Sequence, residues 1–522
     1  MPRLLSLALA GMALIIVAQS CGATSLEARV DGGIVRGAIA HGVITFKGIP
    51  YAAPPVGKRR WAPPRPVRAW SGVRRAQHFG PDCMQLPTPG DAAPLRTMPQ
   101  EDCLYVNVWR PLQASARPLP VMVWIYGGGF VDGGTSPAVY DGTGFARDGI
   151  VLVSFNYRLG NFGFFAFPAL GQRASGGLLG DYAFMDQIAA LRWVQRNVAA
   201  FGGDPHNVTL FGESAGGMSV GALLTTPLAR GLFQKAIIES GAGRPNTYTA
   251  RPLSVSAESA ETMGLKLAQH LGIPGAGAAA LAALRALPAA KLVNGLNMVT
   301  KPHDRTYAGG PIIDGRLYSG APTQVYAHGG GVRVPVMIGA NTDEIGQLTA
   351  TSLPALWASF GPDAAAARVL YDPDGRRTLA EVSATAGGDQ WMLEPARAIA
   401  RQLSARGQRV YEYRFDYVAS SLRGMQSGAP HASEIPFVFD TVAARYGKNT
   451  SRADEAMARA LHAYWVAFAR WGLPGAHGEP AWPQYDAHAD RLMIFTDRGP
   501  VYRADPWKRR LDLAERVAER TH

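Results

Sequence analysis

An α/β fold, with a large, mostly parallel central sheet, helices on both faces and helical cap insertions, is the architecture this sequence predicts. Three observations carry it. Short, largely apolar runs recur along the chain: residues 121–126 (VMVWIY), 150–155 (IVLVSF), 208–211 (VTLF), 235–239 (KAIIE), 334–338 (VPVMI) and 410–415 (VYEYRF). Continuous rather than alternating apolarity marks strands covered on both faces. Helical spacing fills the gaps between them, and strand alternating with helix builds a parallel sheet. Finally, 522 residues at 47% hydrophobic and 18% charged suffice for a large core. That composition excludes a disordered chain, and the 60 glycines follow no three-residue repeat, which excludes collagen.

The elements follow in chain order. Arg3, an apolar run at 4–18 and Gln19-Ser20-Cys21-Gly22-Ala23 form the pattern of a secretory signal peptide over residues 1–23. The run is shorter than the ~20 residues a membrane span needs, so no stable span is expected. The protein is expected to be exported, secreted or periplasmic, with Cys21 a candidate for acylation that would make it a lipoprotein. Residues 24–522 read as a single domain. Residues 28–46 have glycine-punctuated strand character suited to a small antiparallel edge. Lys47, Lys58, Arg59, Arg60, Arg65, Arg68, Arg74 and Arg75 form a basic stretch broken by prolines, which reads as a solvated extended surface, with a site for an anionic lipid or polymer as the alternative. The net charge of +12 is otherwise spread over the chain, so no nucleic-acid partner is expected. Cys83 and Cys103 have no zinc spacing, and in an oxidising compartment they are expected to pair as a disulfide.

Residues 186–201 place Ile188, Leu191, Val194 and Val198 on one helical face, with Gly202-Gly203 as the stop. The Ala-rich stretch at 256–292, turned at Gly272, Pro274 and Pro288, reads as short helices of a cap insertion around 245–330. Residues 453–471 form a further helix, with Ser451 and Asp454 as a capping box and Gly472 as the stop.

Chemistry enters at Gly212-Glu213-Ser214-Ala215-Gly216, directly after the VTLF run. G-x-S-x-G between a strand and a helix puts a serine on a sharp turn where flanking side chains would clash, so glycine holds both flanks. The turn exposes the Ser214 hydroxyl and lets the Ala215 N–H face an oxyanion at a helix N-terminus. Gly127-Gly128-Gly129-Phe130, again after a strand, supplies backbone N–H groups free of Cβ interference. It lacks the Lys-Ser/Thr of a phosphate-binding loop.

A serine needs a base, and the base an orienting carboxylate, in the chain order Ser, acid, His. His431, in the turn-rich run at 428–434, has the expected position; His462 reads as helix packing and His270 falls in the cap. For the acid, Asp343 and Glu344 both follow the strand at 334–338, and spacing does not choose between them. No HExxH or clustered His/Cys pattern appears, so no metal or organic cofactor is expected.

Together these segments resemble the type-B carboxylesterase, or cholinesterase-like, family of α/β-hydrolases. The resemblance is carried by Gly48–Ala52, Glu101–Tyr105, Gly127–Phe130, Asn156–Arg158, the stretch from Asp186 to Gly217, Asp343-Glu344, His431 with Glu434–Phe439, and Trp482-Pro483-Tyr485. It implies the α/β-hydrolase fold, a small-molecule ester substrate and an acyl-enzyme mechanism. It implies the triad Ser214–Glu344–His431, oxyanion donors at Gly128, Gly129 and Ala215, supporting roles for Glu213 and Ser240, and the Cys83–Cys103 disulfide. Between those cysteines this chain has no Trp, Tyr or Phe, so the family's cation–π choline site is not expected. Residues 162–179 stand as an aromatic-rich insertion, expected to line the approach to the serine or form a flap. The competing expectations are a non-catalytic binding module, or a hydrolase of amides, carbamates or polyesters. The triad reading predicts activity that falls as pH drops through roughly 6–7, where a free histidine gains its proton.

Overall fold

The computed structural model describes residues 25–171, 178–241, 243–245, 250–254 and 256–520. The expected signal peptide, with Cys21, lies outside the described residues. Among those described, eleven strands form one sheet: β1 (Ala38–Ala40), β2 (Val43–Pro50), β3 (Tyr105–Pro111), β4 (Leu119–Ile125), β5 (Val151–Phe155), β6 (Gly203–Glu213), β7 (Lys235–Glu239), β8 (Val336–Asn341), β9 (Val410–Phe415), β10 (Arg491–Thr496) and β11 (Gly499–Ala504). Their spatial order is β11-β10-β9-β8-β7-β6-β4-β5-β3-β2-β1. From β5 to β10 every neighbour is parallel. The strands β1, β2, β3 and β11 add antiparallel edges.

All six apolar runs fall on β4 to β9, the parallel heart of the sheet. Val121–Ile125, Val151–Val153 and Ile237 are fully or almost fully buried, as strands sandwiched between helical layers must be. The sequence expectation leaves out β3 and β10. In β3 the buried polar residue Asn107 interrupts the apolar signal. Its amide donates to Thr135 and Ser154 hydroxyls and its carbonyl accepts from the Gly48 N–H, so burial costs it no hydrogen bond. The segment at 28–46 divides. Glu27–Val30 and Gly33–Arg36 form a hairpin beside Val73–Arg75, whereas β1 and β2 join the main sheet.

Helices cover both faces. They include α1 (Tyr182–Asn197), α2 (Ala215–Thr225), α3 (Ala260–His270), α4 (Ala278–Ala286), α5 (Ala289–Val293), α6 (Arg452–Trp471) and α7 (Lys508–Arg520). Helix α6 begins at the expected capping box and ends at Gly472 in the left-handed conformation. Helix α1 starts four residues before the expected Asp186, because Asp186 caps nothing. Its carboxylate is fully buried and takes both arms of the Arg158 guanidinium at 2.7 and 2.8 Å.

Arg60 departs from the expected solvated surface. It is buried, pairs with Glu101 at 2.6 Å and donates to the carbonyls of Leu284, Arg285 and Leu287 at the end of α4. It thus ties the chain between β7 and β8 to the body and offsets the negative end of a helix. The described part of the aromatic insertion is no flap: Phe164 and Phe165 are buried, packed on Phe130 and Trp61. No described helix is long and apolar enough to cross a membrane.

Candidate active site

Ser214 occupies the turn between β6 and α2 with φ 56° and ψ −123°, a conformation a non-glycine residue holds only at a cost of about 1–3 kcal/mol. The surroundings enforce it. The Ser214 N–H donates to Glu239 O at 2.9 Å and its carbonyl accepts from the Met218 N–H at 2.8 Å. A Cβ on Gly216 would stand 2.0 Å from Ile125 O, and one on Gly212 would stand 2.7 Å from Gly216 backbone. The flanking glycines are therefore demanded by β4 and α2 pressing on the turn, the clash that the motif implies.

The base and acid arrive on two loops joined edge to edge. After β8 the chain runs through Asn341–Glu344; after β9 it reaches residues 428–434. Asp343 N–H donates to Ala429 O, His431 N–H to Asp343 O, and Ala429 N–H to the Thr342 hydroxyl. This stitching brings His431 Nδ1 to 2.6 Å from Glu344 Oε2. Asp343 points outward to the Ser427 hydroxyl, so of the two acids left open by spacing only Glu344 meets the histidine. Backbone N–H groups of Asn341 and Ile345 also donate to the Glu344 carboxylate. Burial opposes its ionisation, but His431 above all, with the nearby Ser240 hydroxyl and the Asn341 N–H, holds its pKa below the ordinary glutamate value.

On the other side of the ring, Nε2 stands 3.1 Å from Glu213 Oε1. Burial disfavours the charged imidazolium, yet Glu344 and Glu213 outweigh it and raise His431 to about 10. Burial likewise pushes Glu213 well above the usual carboxylate range, against the pull of His431. Glu213 and His431 compete for a proton, and the free-base ring is available only above the range expected for an isolated histidine.

Two further carboxylates, to which the sequence assigns no role, stand behind this pair. Glu434 accepts from the Asn341 side-chain amide, and burial next to Glu344 lifts it to about 7. Glu239 accepts from Trp465 Nε1 at 2.8 Å and burial raises its pKa too. Glu434, three residues past His431, and Asn341, in the same run as Glu344, are visible as motif members; nothing local assigns them a function. His462 is a packing residue, bonded through Nδ1 to Val438 O.

Ser214, His431, Glu213 and Gly128 line one cavity of about 440 Å³, with Tyr140, Met298, Ile435 and Arg445 among its other walls. A larger hollow of about 540 Å³ between residues 51–67 and α1 pairs no nucleophile with a base, so chemistry points to the smaller one. The glycine loop borders the cavity with Gly128 at φ +90° and Gly129 at φ +57°. Its carbonyls are engaged: Gly128 O accepts from the Val131 and Asp132 N–H groups, and Phe130 O from the Gly160 N–H. Cys83 and Cys103 are bonded as a disulfide. No cluster of three or more His, Cys, Asp or Glu suited to a metal occurs among the described residues.

Comparison with known proteins identifies the family. The profile of the carboxylesterase family matches residues 23–359 and 360–505. The chain is 34% identical to fumonisin B1 esterase of Sphingopyxis macrogoltabida, over 93% of this chain and 89% of that one. It is 36% identical to para-nitrobenzyl esterase of Bacillus subtilis (89% and 93%) and 33% identical to liver carboxylesterase 1 of Oryctolagus cuniculus (87% and 86%). The chain belongs to the carboxylesterase family and is a hydrolase of carboxylic esters.

Proposed function

We propose that this member of the carboxylesterase family is an exported serine esterase working through an acyl-enzyme, with Ser214 as nucleophile, His431 as general base and acid, and Glu344 as the orienting carboxylate. The domain is read as residues 24–522, with a helical cap around 245–330. The observation that carries the reading is the 2.6 Å bond from His431 Nδ1 to buried Glu344, on a ring that shares a cavity with a serine held in a strained turn.

The steps follow. His431 Nε2 takes the Ser214 proton as Oγ attacks the ester carbonyl carbon. The oxyanion is held by the N–H groups of Gly128, Gly129 and Ala215, each preorganised donor contributing about 3 kcal/mol. The imidazolium, stabilised by Glu344, returns the proton to the leaving alkoxide, and the alcohol departs. Water, deprotonated by the same ring, clears the acyl group. Glu213 and Ser240 are supporting groups: Glu213 biases the proton on Nε2, and Ser240 helps keep Glu344 ionised. Export is supported by the Cys83–Cys103 disulfide, since such bonds persist in oxidising compartments.

Hydrolysis of a chain-length series of p-nitrophenyl esters by the parent and by Ser214→Ala tests the reading. Turnover by the parent alone is expected. Equal turnover by both, or none by a folded parent, would overturn it.

A further inference from the structure

The turn at residues 297–301, between β7 and β8, packs directly on the glycine loop. It is built by Asn297, whose side-chain carbonyl accepts from the Val299 and Thr300 N–H groups. Met298 from this turn lines the cavity and leaves Gly129 no space: a Cβ there would stand 2.4 Å from its Sδ. Three residues on, Lys301 Nζ donates to Gly129 O at 2.6 Å.

The loop's hydrogen bonds give that contact its meaning. Gly128 O and Phe130 O are held by backbone N–H groups. Gly129 O is held by a side chain, and one borne on a different part of the chain. The N–H groups of Gly128 and Gly129 donate to nothing among the described residues, as donors reserved for a substrate oxygen would. A glycine peptide turns over easily, and a carbonyl turned into an oxyanion site replaces attraction with repulsion.

We propose that Lys301 is a positioning residue for the oxyanion loop, its ammonium holding the Gly129 carbonyl turned away from Ser214 and so coupling the 297–301 turn to transition-state stabilisation. This rests on the serine-esterase reading above. Lys301 is half-buried and has no carboxylate partner among the described residues, and a charge partly withdrawn from water without a partner is costly. Burial draws Lys301 down to about 8. Both the ammonium and the amine donate to a carbonyl, so the contact survives across that titration, although the ammonium holds it more strongly.

The test compares the parent with Lys301→Met and Lys301→Arg by steady-state kinetics on p-nitrophenyl butyrate. Inhibition by an alkyl trifluoromethyl ketone, which adds the serine to form an oxyanion, is measured beside it. Thermal melting of each variant runs in parallel. Lys301→Met is expected to lower kcat by about 10- to 100-fold, with KM within about threefold. Trifluoromethyl ketone affinity should fall in the same proportion and melting should be little changed. Lys301→Arg, which keeps a donor, is expected to recover most of the loss.

A rise in KM at unchanged kcat would make the residue a mere wall and overturn the proposal. Equal impairment of the Met and Arg variants would overturn it as well, since volume rather than the donor would then matter. Should Lys301→Met fail to fold, Lys301→Arg decides alone: ketone affinity within fivefold of the parent supports the proposal, and any larger loss overturns it. Failure of the parent itself to bind the ketone would bring down the serine reading rather than the role of Lys301.

Discussion

Buried charge is used in opposite ways in two regions of this molecule. Around His431 the chain gathers carboxylates: Glu213, Glu344, Glu434 and Glu239 are all buried, and one histidine answers them. Against α7 it pairs opposites. Arg414 grips Asp505 through both nitrogens at 2.6 and 3.0 Å, Arg510 grips Asp389 likewise, and Arg397 reaches Asp490, Asp512 and Glu515. The pKa values follow the partner each carboxylate has: Glu344, bonded to His431, is held low while its neighbours are not. Burial alone would raise Asp505, but the Arg414 fork overcomes it and Asp505 ends lowered. Glu213, Glu434 and Glu239 end raised because burial and like charge act together. Paired charges fasten a helix to the body; crowded like charges tune a proton. Strongly shifted groups in a cleft are the expected signature of chemistry, and satisfied ion pairs that of architecture.

Four perturbations test that contrast. The largest effect is expected for Ser214→Ala, with kcat falling by about 10⁶ and melting unaffected; turnover within tenfold of the parent would remove Ser214 from the mechanism. Next, Glu344→Gln leaves the ring its hydrogen bond but not its anion, and kcat should drop by about 10⁴. A drop of less than tenfold would show that the carboxylate is not the orienting group.

The third acts on the ion-paired region. Arg414→Met strands Asp505 without its partner and should cost about 3–5 kcal/mol in denaturant unfolding, with kcat of the remaining folded enzyme unchanged. Stability equal to the parent would mean that the α7 cluster is ornamental. Because Asp505 is lowered, its contribution is fully present above the unfolded-state value near ~3.9 and is lost as pH falls through the lower folded value. The Arg414→Met deficit should therefore shrink in acid.

The smallest effect is on a pH profile. His431 is raised, so its base form appears only at higher pH, and the acid limb of kcat/KM should lie above the ~6.5 of a free imidazole. This moves the limb upward from the 6–7 expected of an unperturbed histidine. Glu213→Gln removes the carboxyl that competes with the ring for a proton and, when ionised, favours the imidazolium, so the limb should shift downward. An unmoved limb would dissociate Glu213 from the proton on Nε2.

Much of the fold and part of the site are legible in the sequence. The six apolar runs mark six of the seven strands of the parallel sheet, because a strand buried on both faces is apolar along most of its length. The capping box at Ser451 and the glycines around Ser214 are equally readable, since helix caps and tight turns are satisfied within a few residues of chain. The identity of the acid is of another kind. Asp343 and Glu344 are neighbours with the same chemistry, and only family resemblance or the stitched loops after β8 and β9 separate them.

Local demands are therefore written in the order of residues: which segments extend, where helices begin and stop, and where only glycine fits. Which distant groups meet is settled by the packing of the folded chain. It buried Arg60 under the end of α4, set Glu239 and Glu434 behind the histidine, and laid Lys301 on the carbonyl of Gly129. Sterics and hydrogen-bond periodicity act over a few residues and leave their imprint in the sequence. Burial and charge act through space, and their effect on a residue is set by neighbours drawn from remote parts of the chain.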